Sequence, residues 1–238
     1  MIRRTALKIL PLASAILLAG LSACGLASAS SDFVKLPAPS VDVQTTSQND
    51  QVAVLAGGCF WGVEGVFDHV KGVRKVTSGY SGGDASTAKY DVVSYGHTGH
   101  AESVRVQYDP SQVSYGQLLQ VFFSVALNPT ELNHQGPDSG TQYRSVVFYG
   151  NAEQKKVADD YIAQLTKAKS FTAPIVTQVV PLKAFYPAES YHQNYLDLHP
   201  NNPYIVINDA PKVRHLKQLF PNMYQPSQQH QVVEVQLH

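Results

Sequence analysis

The chain has 238 residues, with 18 Lys and Arg against 18 Asp and Glu, so its formal net charge is zero and no basic stripe is present to hold nucleic acid. An apolar share of 44% and the well-mixed stretch from Val52 to about Pro221 suit one domain with an ample core, and no internal repeat interrupts it. Of the two cysteines, Cys24 falls in a targeting segment and Cys59 is left without a partner for a disulfide or a four-ligand zinc site. Reactivity is therefore the first role to consider for Cys59, beside the ordinary one of a small buried apolar side chain.

Arg3, Arg4 and Lys8 precede the apolar run Ile9 to Leu21, which reads as a signal peptide over 1–24 and is too short for a comfortable membrane span. Leu21-Ser22-Ala23-Cys24 resembles a bacterial lipobox, which makes Cys24 a lipidation site; Ala27-Ser28-Ala29 offers an ordinary cleavage site instead. Residues 25–51, rich in Ser, Pro, Thr, Asp and Gln, are expected to form a flexible linker. One compact domain is expected over 52–221 and a disordered tail over 222–238.

Within the domain, Gln51 to Ala56 reads as a strand and Trp61 to Val70 as a helix, because its apolar residues fall at helical spacing. Val73 to Tyr80 and Ser103 to Tyr108 read as strands, Ser114 to Val125 as a helix, and Arg144 to Tyr149 as a strand. Ala152 to Ala168 is an amphipathic helix, Ile175 to Leu182 a strand and Glu189 to Leu196 a last short helix. Strand, helix, two strands, helix, strand predicts an α+β two-layer sandwich: a mixed, mostly antiparallel sheet with helices packed on it around a ferredoxin-like core. Gly79 to Tyr95 and Leu127 to Tyr143 are long and poor in pattern, and such loops beside a presented cysteine are where a site is built.

Cys59 lies in Gly57-Gly58-Cys59-Phe60-Trp61-Gly62, at the start of the first helix. The helix dipole is worth about 0.3–1 kcal/mol there, occasionally ~2, and is expected to lower the thiol by roughly one pK unit. A second group must complete its activation, and Glu102, Lys89-Tyr90-Asp91 and Asp138 to Arg144 are the polar candidates. His97 and His100 are spaced for a metal but lack a convincing third ligand, so no metal site is expected.

These stretches together resemble the peptide methionine sulfoxide reductases of the A type. The likeness is carried by Gly57 to Glu64, Gly79-Tyr80-Ser81-Gly82-Gly83, Thr98 to Glu102, Tyr108-Asp109-Pro110, Gly140 to Ser145, and Phe185 to Glu189 with Tyr191-His192-Gln193. It implies that Cys59 attacks the sulfur of a methionine S-sulfoxide and becomes a sulfenic acid. It further implies that Glu102 protonates the sulfoxide oxygen, Tyr90 and Tyr143 hydrogen-bond it, and Phe60 and Trp61 enclose the methyl group. Gly58 would give access by its small size, and Asp138 would serve thiol regeneration. A protonated carboxyl among aromatic rings suits such an acid, and a thiolate beside it should titrate as one coupled pair with it.

The resemblance implies no bound cofactor and an external thiol reductant, thioredoxin-like or dithiothreitol. Many relatives carry C-terminal cysteines that resolve the intermediate; none follows Cys59 here, which excludes an intramolecular step within this sequence. The family's usual His-Asp-Pro is Leu127-Asn128-Pro129 in this chain. The expected partners are oxidised proteins and free methionine sulfoxide, a thioredoxin-like reductant and a membrane reached through the lipid anchor, and the chain is expected to act as a monomer. The expected location is the periplasm, on the outer membrane if the host is Gram-negative. A cysteine hydrolase using His100 or His192, or a binding module with an incidental cysteine, are the competing readings.

Overall fold

The computed structural model describes residues 33–43 and 49–227; the signal peptide, the Cys24 lipobox and residues 228–238 lie outside the described residues. The strand β1 (Gln51–Ala56) alternates Ala53 and Leu55 on one face with Val54 and Ala56 on the other, and all four are buried. It leads through Gly57-Gly58 into helix α1 (Phe60–Asp68). The chain continues through β2 (Val73–Ser81), β3 (Ala101–Tyr108), helix α2 (Tyr115–Val121) with a π-helical extension Phe122–Ala126, and β4 (Val146–Tyr149). Helix α3 (Ala152–Lys167), β5 (Gln178–Pro181), β6 (Tyr186–Pro187) and helix α4 (Ala210–Leu219) follow.

The sheet order is β5-β4-β1-β3-β2-β6. Its centre, β4-β1-β3-β2, is antiparallel throughout and is the expected ferredoxin-like core, while β5 pairs parallel to β4. The helices and one sheet face enclose the main core, where Leu55, Val104, Val106 and Val147 meet Phe67, Leu118, Phe122 and Leu165. The opposite face carries a smaller apolar cluster, Val54, Ala56, Ala101, Val146 and Phe148, against which Val180, Leu182 and Phe185 pack. One pairing fixes the geometry of the site: β3 lies between β1 and β2, so Glu102, opposite Tyr80, projects beside the end of β1 where the cysteine turn begins.

Three expectations are corrected. The linker is not a free tether over 33–43: Leu36 is 5% exposed, its N–H donates to Ser124 Oγ, and its carbonyl accepts from Gln120 Nε2. Farther along this strap Tyr161 Oη donates to the Pro37 carbonyl, and Asp42 accepts from Ser114 Oγ and Gly116 N at the start of α2. The expected tail begins ordered: Met223 O accepts from Lys71 N, Tyr224 bridges Val70, and Gln225 N donates to the His69 carbonyl. Carbonyl groups at the end of a helix need such donors, and the tail supplies them. Finally, the expected helix Glu189 to Leu196 is two single turns, Ser190–His192 and Tyr195–Leu198, broken at Asn194 with φ of 54°. Helix α4 was not anticipated, although Pro211 in its first turn and the spacing of Val213, Leu216 and Phe220 are its signals.

Candidate active site

Cys59 is the N-cap of α1, and the turn that delivers it is built by what its glycines lack. At Gly57 a Cβ would stand 3.0 Å from the Phe122 ring. At Gly58, φ is +91° and a Cβ would lie 2.6 Å from Cβ of Gln135, so only glycine fits. Gly58 does not line the cavity; its small size makes room for Gln135, not for substrate. Gln135 in turn binds both backbone groups of Asn128, accepting from its N–H at 2.9 Å and donating to its carbonyl at 2.7 Å. The Asn128 side chain accepts from Thr130 N and Oγ1, so Asn-Pro makes the loop turn here without a histidine or aspartate.

A cavity of about 180 Å³ opens over the thiol, lined by Cys59, Phe60, Trp61, Tyr90, Glu102, Asp138, Tyr143 and Tyr204. Seven of the eight residues expected at the site therefore meet there, and Tyr204 is the one that sequence reasoning missed. Its hydroxyl donates to Asp138 Oδ2. Tyrosine is abundant in this chain, and only the fold brings Tyr204 beside a carboxylate so distant in sequence. A wider groove of about 760 Å³ lies between the N-terminal strap and Phe220 to Met223, but it holds no nucleophile and no acid.

Each wall has its own support. Trp61 stacks on Tyr195 with ring centroids 3.7 Å apart, and its Nε1–H donates to His192 Nδ1 at 3.1 Å. His192 also packs 4.3 Å from the Tyr90 ring, and burial lowers its basicity. Glu189 accepts from Tyr90 N at 3.0 Å and from Tyr80 Oη at 2.9 Å, which seats the turn of helix Tyr90–Val93. The loop that follows is tied to the Tyr143 turn, because Thr141 Oγ1 donates to Gly96 O and Gln142 Nε2 to Ser94 O. Arg144 donates to the carbonyls of Gly99, His100 and Thr141. The two tyrosines thus stand on loops bonded to each other.

No histidine lines the cavity. His100 is held by Gly83 N and the Asp84 carbonyl, and His192 Nδ1 is taken by Trp61, so a hydrolase reading loses its base. The three- or four-group clusters that hold metal ions are absent among the described residues.

Electrostatically, the pocket is a crowd of acids away from water. Glu102 is 3% exposed and its pKa is pushed up to about 8, by burial first, even though Phe60 N donates to its Oε2 at 3.0 Å. The Cys59 thiol is also raised well above its ordinary value, by burial and then by Glu102 and Asp209, while the Trp61 backbone N–H and the Lys212 charge act the other way. This overturns the expectation of a thiol lowered by the helix dipole: at a buried N-cap the loss of hydration outweighs the dipole. At neutral pH the site holds a thiol and a protonated carboxyl side by side. Burial likewise raises Tyr90 and Tyr143, which stay protonated donors.

Comparison with known proteins agrees with this chemistry. Residues 51–224 match the family model described as peptide methionine sulfoxide reductase. The chain belongs to that family. It is 61% identical over 181 residues to a peptide methionine sulfoxide reductase MsrA 2 of Mesorhizobium japonicum, covering 76% of this chain and 93% of the relative. A Synechocystis relative of the same description is 50% identical over 188 residues, covering 78% and 88%. Among solved structures, reduced Mxr1 of Saccharomyces cerevisiae superposes with a TM-score of 0.58 at 34% identity, covering 67% of this chain and 91% of that one. Methionine sulfoxide reductase A of Corynebacterium diphtheriae does so with 0.56 at 31%, covering 66% and 78%. The chain is thus an oxidoreductase, a peptide methionine sulfoxide reductase of the A type, on the α+β fold expected for it.

Proposed function

We propose that the enzyme reduces the S epimer of methionine sulfoxide, free and within polypeptides, by way of a sulfenic acid on Cys59. The observation that carries this reading is the pairing of the Cys59 thiol with a Glu102 carboxyl whose pKa is about 8, in one 180 Å³ cavity that two tyrosines also line. A sulfoxide oxygen leaves sulfur poorly unless protonated, and Glu102 holds a proton at neutral pH. As the Cys59 sulfur bonds to the sulfoxide sulfur, Glu102 gives its proton to the oxygen and takes the one released by the thiol. Tyr90 and Tyr143 donate to the oxygen as charge builds on it. The sulfur–oxygen bond of the substrate breaks, the oxygen ends on Cys59, and two electrons pass from the cysteine sulfur to the methionine sulfur. Phe60 and Trp61 offer the apolar surface that a methyl group needs.

No bound cofactor enters this scheme. Recovery uses an external dithiol: one thiol attacks the sulfenic sulfur and releases water, and the second breaks the mixed disulfide. Asp138 with Tyr204 stands at the cavity wall, where a carboxylate can take the proton of the incoming thiol. A thioredoxin-like protein is the proposed reductant. The N-terminal pattern supports export to the cell envelope, with Cys24 lipidated or cleavage after Ala29, and the clients are then oxidised envelope proteins. Membrane attachment lost in Cys24→Ala supports the anchor, and fully soluble wild type refutes it.

The test is direct. With dithiothreitol, methionine should form from the S epimer and not from the R epimer, and Cys59→Ser should form none. After one turnover without reductant, dimedone should label Cys59 in one-to-one yield. Methionine production by Cys59→Ser, or turnover without an adduct, overturns the scheme.

A further inference from the structure

The mechanism leaves one pair of charges without a task. Asp209 ends the π-helical turn Ile205–Asp209 before α4, and its side chain is 0% exposed. Its Oδ1 meets Lys212 Nζ at 3.1 Å, and its Oδ2 is buried with no hydrogen-bond partner. The pair occupies space left by Gly62 in the first turn of α1: a Cβ there would lie 2.0 Å from Asp209 Oδ1 and 2.8 Å from Lys212 Nζ. It is not among the groups that line the cavity, so it lies against the helix turn that carries the nucleophile without being open to substrate.

A buried ion pair is weak evidence for stability, because the hydration lost roughly cancels the attraction gained. This one leaves a carboxylate oxygen unsatisfied as well, which makes it a poor structural device. What it does have is a place beside Cys59. The other groups that face the thiol are Glu102 on β3, Asp138 and Tyr143 from the long loop, Tyr90 and Tyr204. All of these are neutral or negative, and Lys212 is the cation acting on it.

We propose that Asp209 is a positioning residue for the reaction, holding resting Cys59 as its thiol from behind the helix turn, with Lys212 as the counter-charge that limits this effect. The inference deepens the sulfenic acid reading, since it concerns the same nucleophile. A thiol kept protonated in the empty enzyme reacts slowly with adventitious electrophiles and oxidants, because the thiolate is the reactive form. Of the two charges the carboxylate stands nearer the cysteine-bearing turn, 2.0 Å against 2.8 Å from the position a Gly62 Cβ would take, so the net effect of the pair is to oppose ionisation of the thiol. Burial raises the Asp209 carboxyl, and Lys212 works against that rise.

The experiment follows alkylation of Cys59 by iodoacetamide across pH, in enzyme without substrate, so it does not depend on reductase activity. Asp209→Asn should shift the midpoint of the profile to lower pH by about one unit and speed alkylation at pH 7 about tenfold. The double variant Asp209→Asn, Lys212→Gln should fall between it and wild type, because removing the cation gives back part of the shift. Circular dichroism checks folding, and Gly62→Ala, which pushes the carboxylate off the turn without removing a charge, should move the midpoint in the same direction. A common midpoint in all four proteins, or faster alkylation through a higher plateau alone, overturns the proposal. Wild-type enzyme that forms no methionine from the sulfoxide while the midpoint shifts appear as predicted would instead count against the function proposed above.

Discussion

Helices α1 and α2 both begin on a carboxylate borrowed from elsewhere in the chain, and the two carboxylates have opposite purposes. At α2, Asp42 from the strap accepts from Gly116 N at 2.8 Å and from Ser114 Oγ, while Ser114 and Gln117 close a capping box. The start of α2 thus has partners for the N–H groups of Ser114, Gly116, Gln117 and Leu118. At α1 the N-cap Cys59 makes no side-chain cap, and Glu102 accepts from Phe60 N deep in the protein. A carboxylate at a helix start stabilises by its charge, but burial keeps Glu102 protonated at neutral pH and removes most of that benefit. The end of α1 that carries the chemistry is therefore the poorer cap of the two. Stability is given up where a proton must be delivered.

Glu102→Gln is the strongest test of that contrast. The amide can still accept from Phe60 N, so the helix start should survive, but it has no proton to donate. Single-turnover methionine formation should drop by roughly 10²- to 10⁴-fold with little change in substrate binding. The wild-type rate should be highest while Glu102 is protonated and decline as pH rises through about 8. A variant that keeps its rate, or a wild-type rate that climbs across that range, would place the acid elsewhere. Next in size, Tyr143→Phe and Tyr90→Phe remove donors from the cavity while leaving both helix starts untouched. Each should cost roughly a hundredfold in single-turnover rate without a shift in melting temperature. A rate within twofold of wild type in either variant would remove that hydroxyl from the mechanism.

Glu64 sharpens the comparison, because it is buried on α1 as deeply as Glu102 yet is not among the residues that line the active-site cavity. Its Oε2 accepts from Asn194 N at 2.9 Å, which pins the residue before Tyr195 and so the ring that stacks on Trp61. Burial pushes its pKa up to about 7. The sign follows: the folded state holds this proton more tightly than the unfolded chain, so the stability Glu64 lends is present below about pH 4.5 and is lost as pH rises through 7. Glu64→Gln should therefore gain on the order of 2–3 kcal/mol at pH 8 and almost nothing at pH 4, read from urea unfolding at each pH. Equal gains at both would mean that packing, not ionisation, is involved.

The strands and the helix that present Cys59 were legible because their apolar periods are strong, and the site residues because six short motifs occur in order. What escaped shows the limits. The strap has no period to detect: only Leu36 is deeply buried, and it is held largely by backbone N–H and carbonyl groups, which any sequence provides. The thiol's direction of shift was misread because a dipole can be inferred from a helix start, whereas desolvation depends on which distant residues close over it. Tyr204 and Asp209 lie some 150 residues from Cys59 and reach it only through the π-helical turn, whose backbone has no sequence signature. Helix α4 is different, since Pro211 and its apolar spacing were there to be used.

The smallest expected effect returns to α2. Asp42 lies in residues expected to be a tether, before the stretch matched by the family model, so its worth measures whether the strap belongs to the folded unit. Asp42→Ala removes acceptors from Gly116 N and Ser114 Oγ, while the Ser114–Gln117 box remains. Loss of a helix-start acceptor costs about 1 kcal/mol, and the remaining box keeps it from costing more. The urea midpoint should fall accordingly, with methionine formation unchanged because Asp42 lines no part of the cavity. An unchanged midpoint would mean that the strap rests on the helices without stabilising them. A loss of activity at constant stability would mean that the start of α2 is coupled to the cysteine turn, through the Phe122 ring that packs on Gly57, and that the division between a capping carboxylate and a catalytic one is less complete than the geometry implies.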